Sequence, residues 1–337
     1  MTTLAFIFVF GLLVIFHETG HFAAAKLVGI RVEEFCIGFG PKIIGAKRGE
    51  TFYSVRLLPL GGFVKMTGEE GDSDVNDERS FMNKSVLSRL AVIGAGPFMN
   101  FVLAVILFAA LFFIIGVPES NPLIGEVLTG SPADVAGLQT GDRVVAVAGE
   151  KVDTWEDMVA AIRSSPIESI PFQIERQGNI LQLELTPKVN AETGTTYIGI
   201  QRVIYRHSFF LAWAQGFKQS VRLVTFIGRQ LLSMVTGQIT PDVAGPVGIY
   251  QVIGEVARTG FLNLISLAAV LSVNLALFNL FPIPMLDGGQ LVFLSIEAIR
   301  GRPLAPEQEG FLKFIGILLL MFLLVTVTFR DVTRLVL

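Results

Sequence analysis

Four stretches of this sequence are long and apolar enough to cross a lipid bilayer as helices, and they restrict the possible folds more than any other feature. They cover residues 4–28, 90–118, 262–286 and 311–329. About 20 helical residues span a bilayer core, and lipid offers no partner to unpaired backbone groups. Only 16% of the 337 residues are charged, whereas soluble domains average about 25%. The sequence therefore predicts a polytopic α-helical membrane protein with four transmembrane helices.

A segment of soluble composition lies between the second and third apolar stretches. In residues 121–152, Gly-rich turns separate short runs that are typical of strands. The sequence TWEDMVAAIRS predicts a helix with Thr154 as its N-cap and Asp157 completing the cap three residues later. The sequence QGN at 177–179 predicts the turn of a hairpin. This segment is expected to be an inserted α/β domain.

The chain is expected to have four parts. A first membrane half carries the first two spans and the loop between them, and a second membrane half carries the last two. The parts are 1–118 for the first membrane half, 119–204 for the α/β domain, 205–261 for amphipathic helices linking that domain to the membrane, and 262–337 for the second membrane half.

The linking region contains a helix with one basic face. Lys218, Arg222 and Arg229 recur at helical spacing within residues 207–236, and the opposite face is rich in Phe, Leu, Val and Trp. This pattern is typical of a helix that lies in the membrane surface. A fifth span is the alternative, but three basic side chains disfavour it.

Basic residues predict the orientation, because loops rich in Lys and Arg stay in the cytoplasm. The loops 29–89 and 287–310 contain several, whereas residues 90–142 contain none. Both termini and the region 119–261 are therefore expected on the outer side. No basic cluster or RNA-binding motif suggests a nucleic-acid partner, and the single cysteine, Cys36, excludes an internal disulfide.

The sequence HETGH places ionisable groups inside the first apolar stretch. Such groups are costly there, about 2.5–3.5 kcal/mol for Asp, Lys or Arg. On a helix, residues four apart share a face, so His17 and His21 can bind one metal ion together. Glu18 lies at the edge of that face and can take a proton from a water molecule at the metal. A chance pair of core histidines is the alternative, but two of only three histidines frame the glutamate at this spacing.

Asp287 is the candidate third ligand, because a catalytic zinc usually has three protein ligands. It is the only acidic side chain within or at the end of another apolar stretch. Pro282 and Pro284 cannot continue a helix, and the two glycines after Asp287 permit tight turns. Irregular backbone at membrane depth is tolerated beside buried or wet cavities. The first and third spans run in the same direction, so both motifs are expected at a similar depth, near the cytoplasmic face.

HExxH in a first span, followed by N-x-x-P-x-P-x-L-D-G in a later one, resembles the site-2 protease family of intramembrane zinc metalloproteases. The RseP-type branch of bacterial regulated intramembrane proteases is the most similar. The resemblance covers nearly the whole chain. Its further marks are GFG at 38–40, PLGGFVKM at 59–66, GPFMN at 96–100, AGPVGIYQ at 244–251 and VNLALFNLFPIPMLDGG at 273–289.

The resemblance implies Zn²⁺ held by His17, His21 and Asp287, with Glu18 as general base. It implies a bacterial inner-membrane protein with a PDZ domain on the outer side. It also implies that Asn274 and Asn279 contact substrate. For these two amides, pairing with backbone groups freed by the prolines remains an equal alternative.

Residues 51–66, TFYSVRLLPLGGFVKM, have the composition of strands with breaks at Pro59 and at the two glycines. They predict a membrane-associated β-hairpin that dips toward the active site. Extended substrate is expected to add to its edge as a strand, at Gly61, Gly62 and Phe63. A surface hairpin with only a structural role is the alternative.

The expected activity is hydrolysis of peptide bonds within or near the spanning segments of single-span membrane proteins. Members of the resembled family cut anti-sigma factors and remnant signal peptides. The PDZ groove is expected between a strand near 124–128 and the helix starting at Trp155. It would bind a peptide or a new C-terminus, or the domain would exclude bulky substrates. A membrane-anchored PDZ scaffold with an inactive metal site is the alternative function, and a transporter or ion relay is a third.

Overall fold

The computed structural model describes residues 1–69, 77–165, 168–189, 196–206, 208–238 and 244–336. The helices of these residues are α1 Thr2–Leu27, α2 Val86–Ile114, α3 Pro132–Val135, α4 Trp155–Ser164, α5 Phe209–Val235, α6 Pro246–Thr259, α7 Phe261–Asn279, α8 Asp287–Arg300 and α9 Pro306–Val336. The strands are β1 Val32–Arg48, β2 Thr51–Met66, β3 Val117–Pro118, β4 Ile124–Val127, β5 Arg143–Val147, β6 Glu150–Lys151, β7 Ile170–Arg176, β8 Asn179–Leu185, β9 Lys188–Val189, β10 Thr196–Tyr197, β11 Ile200–Arg202 and β12 Ile204–Tyr205.

The chain forms two compact units. One unit contains Met1–Leu111 and Trp213–Leu337, and the other contains Phe112–Ala212. Within the described residues, α1, α2, α7 and α9 are long and apolar enough to cross a membrane. Together with the α/β composition of the second unit, they confirm the predicted class, a polytopic helical membrane protein with an inserted α/β domain.

The helices around α1 form the core of the membrane unit. Val9 and Leu13 of α1 are buried with Leu103 of α2, Ile253 of α6 and Ala268 of α7. The outer helix α9 differs, because most of its apolar side chains remain exposed. Lipid would cover this surface in a membrane.

Close contact between α1 and α2 depends on small residues. A Cβ added at Gly20 would lie 2.2 Å from the carbonyl oxygen of Ala95. This is far below van der Waals contact, so any larger residue at position 20 would push the helices apart. The approach matters because the histidines of HETGH flank Gly20 on the same helix.

The third helix is shorter than predicted. The apolar stretch was expected to continue to residue 286, but α7 ends at Asn279 and α8 begins at Asp287. Pro282 and Pro284 lie in the break, where their rings cannot continue a helix. Asp287 is therefore the first residue of a separate helix and is not carried by the third span itself.

A β-sheet next to α1 is larger than the predicted hairpin. Residues 51–66 were expected to fold back on themselves, but β2 pairs with β1, a strand that the sequence did not predict. Both pairings are antiparallel: residues 42–48 pair with 51–56, and residues 32–37 pair with 62–66. Residues 34–37 also pair with 52–55 on their other side. The segment 62–66 therefore has 32–37 on one side. Val32, Val64 and Met66 pack with Phe81 and Val92 in a buried cluster.

The second unit has the secondary structure expected of its sequence. Its main sheet has the order β6-β5-β7-β8, and β4 pairs with β11. The predicted capping box is confirmed, because Thr154 Oγ1 accepts from Asp157 N–H and Asp157 accepts from Thr154 N–H. The predicted hairpin is also confirmed: β7 and β8 meet at Gln177 and Gly178, both with positive φ. Its core contains Met158, Phe172 and Ile174.

The basic helix of the linking region forms as α5. Lys218, Arg222 and Arg229 are exposed. Gly216 faces α2 so closely that an added Cβ would lie 2.8 Å from Val105 O and 2.7 Å from Ala109 N. The helix prediction is confirmed, whereas its place in the membrane surface stays a prediction.

Candidate active site

The three predicted metal ligands lie together although 270 residues separate Asp287 from His17. His17 Nε2 is 3.2 Å from His21 Nε2 and 3.2 Å from Asp287 Oδ2, and His21 Nε2 is 3.5 Å from Asp287 Oδ1. Both histidines are buried, and the side chain of Asp287 is 18% exposed. One candidate ligand atom from each residue lies within 4.8 Å of the others.

These separations suit a zinc ion. Ligand atoms held about 2.0–2.2 Å from a tetrahedral zinc lie roughly 3.3–3.6 Å from one another. The observed distances of 3.2–3.5 Å are close to this range. Among the described residues, the buried Asp287 Oδ2 has no hydrogen-bond partner of acceptable geometry, although His17 Nε2 lies close to it. A cation bound between them would satisfy this oxygen and both ring nitrogens.

Local structure explains how Asp287 reaches the histidines. After α7 the chain turns sharply, and Met285 adopts a φ of +88°, a region that few residues other than glycine occupy. The next two glycines let the turn pack on itself. A Cβ would lie 2.2 Å from Phe281 O at Gly288 and 2.4 Å from Ile283 O at Gly289. Replacing either glycine would therefore displace the start of α8.

Helix α2 orients both histidines. His21 Nδ1 lies 2.9 Å from Val92 O, and His17 Nδ1 lies 3.1 Å from the amide of Asn100. Gly96 faces the rings so closely that a Cβ there would lie 2.3 Å from His21 Nε2. The sequence reasoning missed these three α2 contributions. The GPFMN motif, which contains Gly96 and Asn100, was the signal that could have found two of them.

Glu18 is buried beside His17 and faces the β-sheet. A Cβ added at Gly62 would lie 2.8 Å from Glu18 Cγ, so the backbone of β2 runs against this glutamate. The neighbouring predicted residues lie on the same segment. Gly61 packs on the ring of Phe39, and the Phe63 ring lies 5.0 Å from the guanidinium of Arg56.

The two asparagines of α7 are placed differently. Asn279, the last residue of α7, has its Nδ2 3.4 Å from His17 Nε2. Asn274 is half-buried more than one turn earlier. In the described part of the chain, its amide has no hydrogen bond to the metal cluster. The structure therefore brings Asn279 to the cluster but shows no such contact for Asn274.

A cavity of about 790 Å³ lies between β2, α8 and the start of α9. Phe63 and Met285 line it, and these residues neighbour Gly62 and Asp287 in the sequence. Arg89 and Glu297 also line it and form a bidentate ion pair that joins α2 to α8. The cavity is therefore lined both by residues one or two positions from Gly62 and Asp287 in the sequence and by charged groups.

The second unit has a cavity that overlaps the predicted groove only in part. The groove was expected between residues 124–128 and the helix starting at Trp155. The observed cavity of about 350 Å³ lies between α4 and residues 196–200, and only Leu128 comes from the predicted strand. The sequence did not place residues 196–200 there, because β11, which pairs with β4, lies far along the chain. The position of a peptide in this region stays a prediction. Most of the lining is apolar, with Arg163 and Thr196 as polar members.

A helical membrane protein that gathers HExxH and a distant aspartate into one buried cluster has the architecture of an intramembrane metallopeptidase. The chain belongs to Peptidase family M50, whose profile matches residues 5–323. It is thus a multi-pass intramembrane zinc metalloprotease of the site-2 type, as the sequence predicted, and zinc is its cofactor. The alternative of an inactive scaffold is not favoured.

Relatives that match nearly the whole chain are named as proteases. The chain is 35% identical over 416 aligned residues to the Regulator of sigma-W protease RasP of Bacillus subtilis, covering 99% of both chains. It is 39% identical over 330 residues to a putative zinc metalloprotease of Clostridium acetobutylicum, covering 97% of this chain and 96% of that one. A solved PDZ domain of an SdrC-like protein from Listeria monocytogenes is 19% identical, with a TM-score of 0.23, and covers 26% of this chain and 94% of that domain.

Proposed function

We propose that His17, His21 and Asp287 hold the catalytic zinc and that Glu18 is the general base. With this site the enzyme cleaves spanning segments of single-span membrane proteins. One observation carries this proposal: ligand atoms from two separate helices lie 3.2–3.5 Å apart. Zinc bound there would polarise the scissile carbonyl and make an attacking water more acidic. Glu18 takes the proton of that water and passes it to the leaving amine.

The substrate must arrive unwound, because a helix hides its carbonyls in internal hydrogen bonds. The backbone groups that unwinding releases need partners, and lipid offers none. Segment 62–66 of β2 offers a strand edge beside Glu18, where Gly62 lets backbone approach the carboxylate. Extended substrate pairs there by strand addition, with Gly61, Gly62 and Phe63 in contact with it. The amide of Asn279 is close enough to the cluster to bind the substrate carbonyl. Asn274, more than one turn earlier in α7, has the same role or pairs with protein backbone.

The substrates proposed are anti-sigma factors, with remnant signal peptides as a second class. The name of the B. subtilis relative, Regulator of sigma-W protease RasP, supports the first class. The groove of the PDZ-like domain binds an extracytoplasmic peptide or a newly exposed C-terminus, or the domain acts as a size filter. The apolar lining between α4 and residues 196–200 supports peptide binding. The enzyme lies in a bacterial inner membrane, with its active site near the cytoplasmic side.

The deciding experiment compares wild type with Glu18→Gln on a single-span substrate in liposomes, with zinc content measured in parallel. Glu18→Gln keeps the ligand set, so we expect about one zinc per chain and cleavage reduced at least about 100-fold, as for loss of a general base. His17→Ala removes a ligand and should lose both zinc and cleavage. Equal cleavage by wild type and Glu18→Gln would refute the mechanism.

A further inference from the structure

Asn100 ends the GPFMN motif on α2, and its side chain is fully buried. Its Nδ2 lies 3.1 Å from His17 Nδ1, whereas the other ring nitrogen of His17 faces Asp287. The backbone of Asn100 makes a separate contact, because Ser272 Oγ of α7 donates to Asn100 O at 2.7 Å. The side-chain amide of Asn100 thus lies against the back of one candidate ligand.

The chemistry of a metal-binding imidazole determines what this amide must present. A neutral imidazole that gives its Nε2 lone pair to a metal carries its proton on Nδ1. That N–H is a donor and needs an acceptor when it is buried. His21 has one, because Val92 O lies 2.9 Å from its Nδ1. For His17, the Asn100 amide occupies the corresponding place.

The orientation of the amide can be decided from its surroundings. The oxygen and nitrogen of an asparagine amide exchange places when the group turns by 180°. With Nδ2 toward His17, two donors would face each other, and Asn100 Oδ1 is buried without a hydrogen-bond partner among the described residues. With Oδ1 toward His17, the oxygen accepts the Nδ1–H and is no longer unpaired.

We propose that Asn100 is a positioning residue for His17. Its Oδ1 accepts the Nδ1–H and so holds the imidazole in the tautomer whose Nε2 lone pair points toward Asp287. This inference rests on the proposed zinc site. Removing a group that orients a ligating histidine in this way typically weakens metal binding about 10–100-fold.

The test measures zinc affinity by competition with a chelator in detergent, together with the melting temperature of the zinc-free protein. Asn100→Leu keeps the size of the side chain but removes the acceptor, so it should weaken zinc binding about 10–100-fold. Asn100→Asp should bind zinc at least as tightly as wild type, because its carboxylate accepts the same N–H. Ser272→Ala is the matched control: it removes a buried hydrogen bond to the backbone of Asn100 and should leave zinc affinity unchanged.

Equal zinc affinity in Asn100→Leu and wild type would overturn the proposal. An equal loss in Asn100→Leu and Asn100→Asp would also overturn it, because the side chain would then only fill space. If Asn100→Leu does not fold, Asn100→Ala replaces it, and the comparison with Asn100→Asp decides in the same way. If the wild-type protein does not bind zinc, the proposed ligand set is overturned as well. If the wild-type protein binds zinc and Asn100→Leu binds it equally well, only the role of Asn100 is overturned.

Discussion

The α-carbon of Gly96 faces both histidines of α1. A Cβ added there would lie 2.3 Å from His21 Nε2 and 2.8 Å from His17 Cε1. Both distances are shorter than the contacts that Cβ atoms make in real proteins. We therefore expect Gly96→Ala to displace the rings and to lower cleavage about 100-fold, the cost of a misplacement near 1 Å. Zinc content and cleavage rate check this prediction.

Gly94→Ala is the matched control, because nothing lies within 4 Å of a Cβ at that position on the same helix. It should keep full activity and gain up to about 1 kcal/mol in stability from helix propensity. Full zinc content and normal cleavage in Gly96→Ala would contradict the role of Gly96.

Local spacing made part of the site predictable. His17, Glu18 and His21 form a motif that any helix places on one face. Asp287 could be predicted as the third ligand because the apolar stretches after the first contain no other acidic group. Their roles as ligands and base stay predictions. Gly96 and Asn100 could not be assigned, because their importance depends on how α1 packs against α2, which periodicity does not specify.

Arg89 and Glu297 link α2 to the helix that begins with Asp287. Their side chains are only 5% and 14% exposed, and Arg89 donates to both carboxylate oxygens. Arg89→Met would leave Glu297 buried and unpaired, so we expect a loss of about 3–5 kcal/mol in the free energy of unfolding. Denaturant unfolding in detergent measures it.

Two comparisons make the prediction specific to this ion pair. Replacing both residues by Met should recover most of the stability, because a buried ion pair is often matched by apolar packing. Lys151→Met, at an ion pair with Asp153 that is 74% and 67% exposed, should cost less than about 1 kcal/mol. Similar losses at both sites would show that the α2–α8 pair is not special.

The elements were predictable to different degrees for physical reasons. Spans follow from hydropathy, so all four candidate helices were predicted, whereas the end of α7 was missed because hydropathy continues past Pro282. Strand β1 was missed because GFGPKIIGAKR lacks the alternation of a half-buried strand, and most of that segment is exposed. Residues 196–200 were not included in the predicted groove because β4 pairs with β11, more than 70 residues away.

At the scale of the whole molecule, orientation in the membrane comes from charge rather than from packing. Lys and Arg are concentrated in the loops 29–89 and 287–310 and are absent from 90–142. Charged loops of this kind are retained in the cytoplasm. The sheet β1–β2 should therefore face the cytoplasm, and the inserted α/β domain should face the outer side.

Cysteine labelling tests this orientation directly, because the only native cysteine, Cys36, is fully buried and should not react. Lys47→Cys and Glu150→Cys place a thiol at exposed positions of β1 and β6. A membrane-impermeant maleimide applied to intact spheroplasts should label Glu150→Cys, whereas Lys47→Cys should react only after permeabilisation. Wild type, which should stay unlabelled in both conditions, is the control. The reverse pattern would place the β-sheet outside and contradict the proposed cytoplasmic active site, because Gly62 of that sheet lies against Glu18.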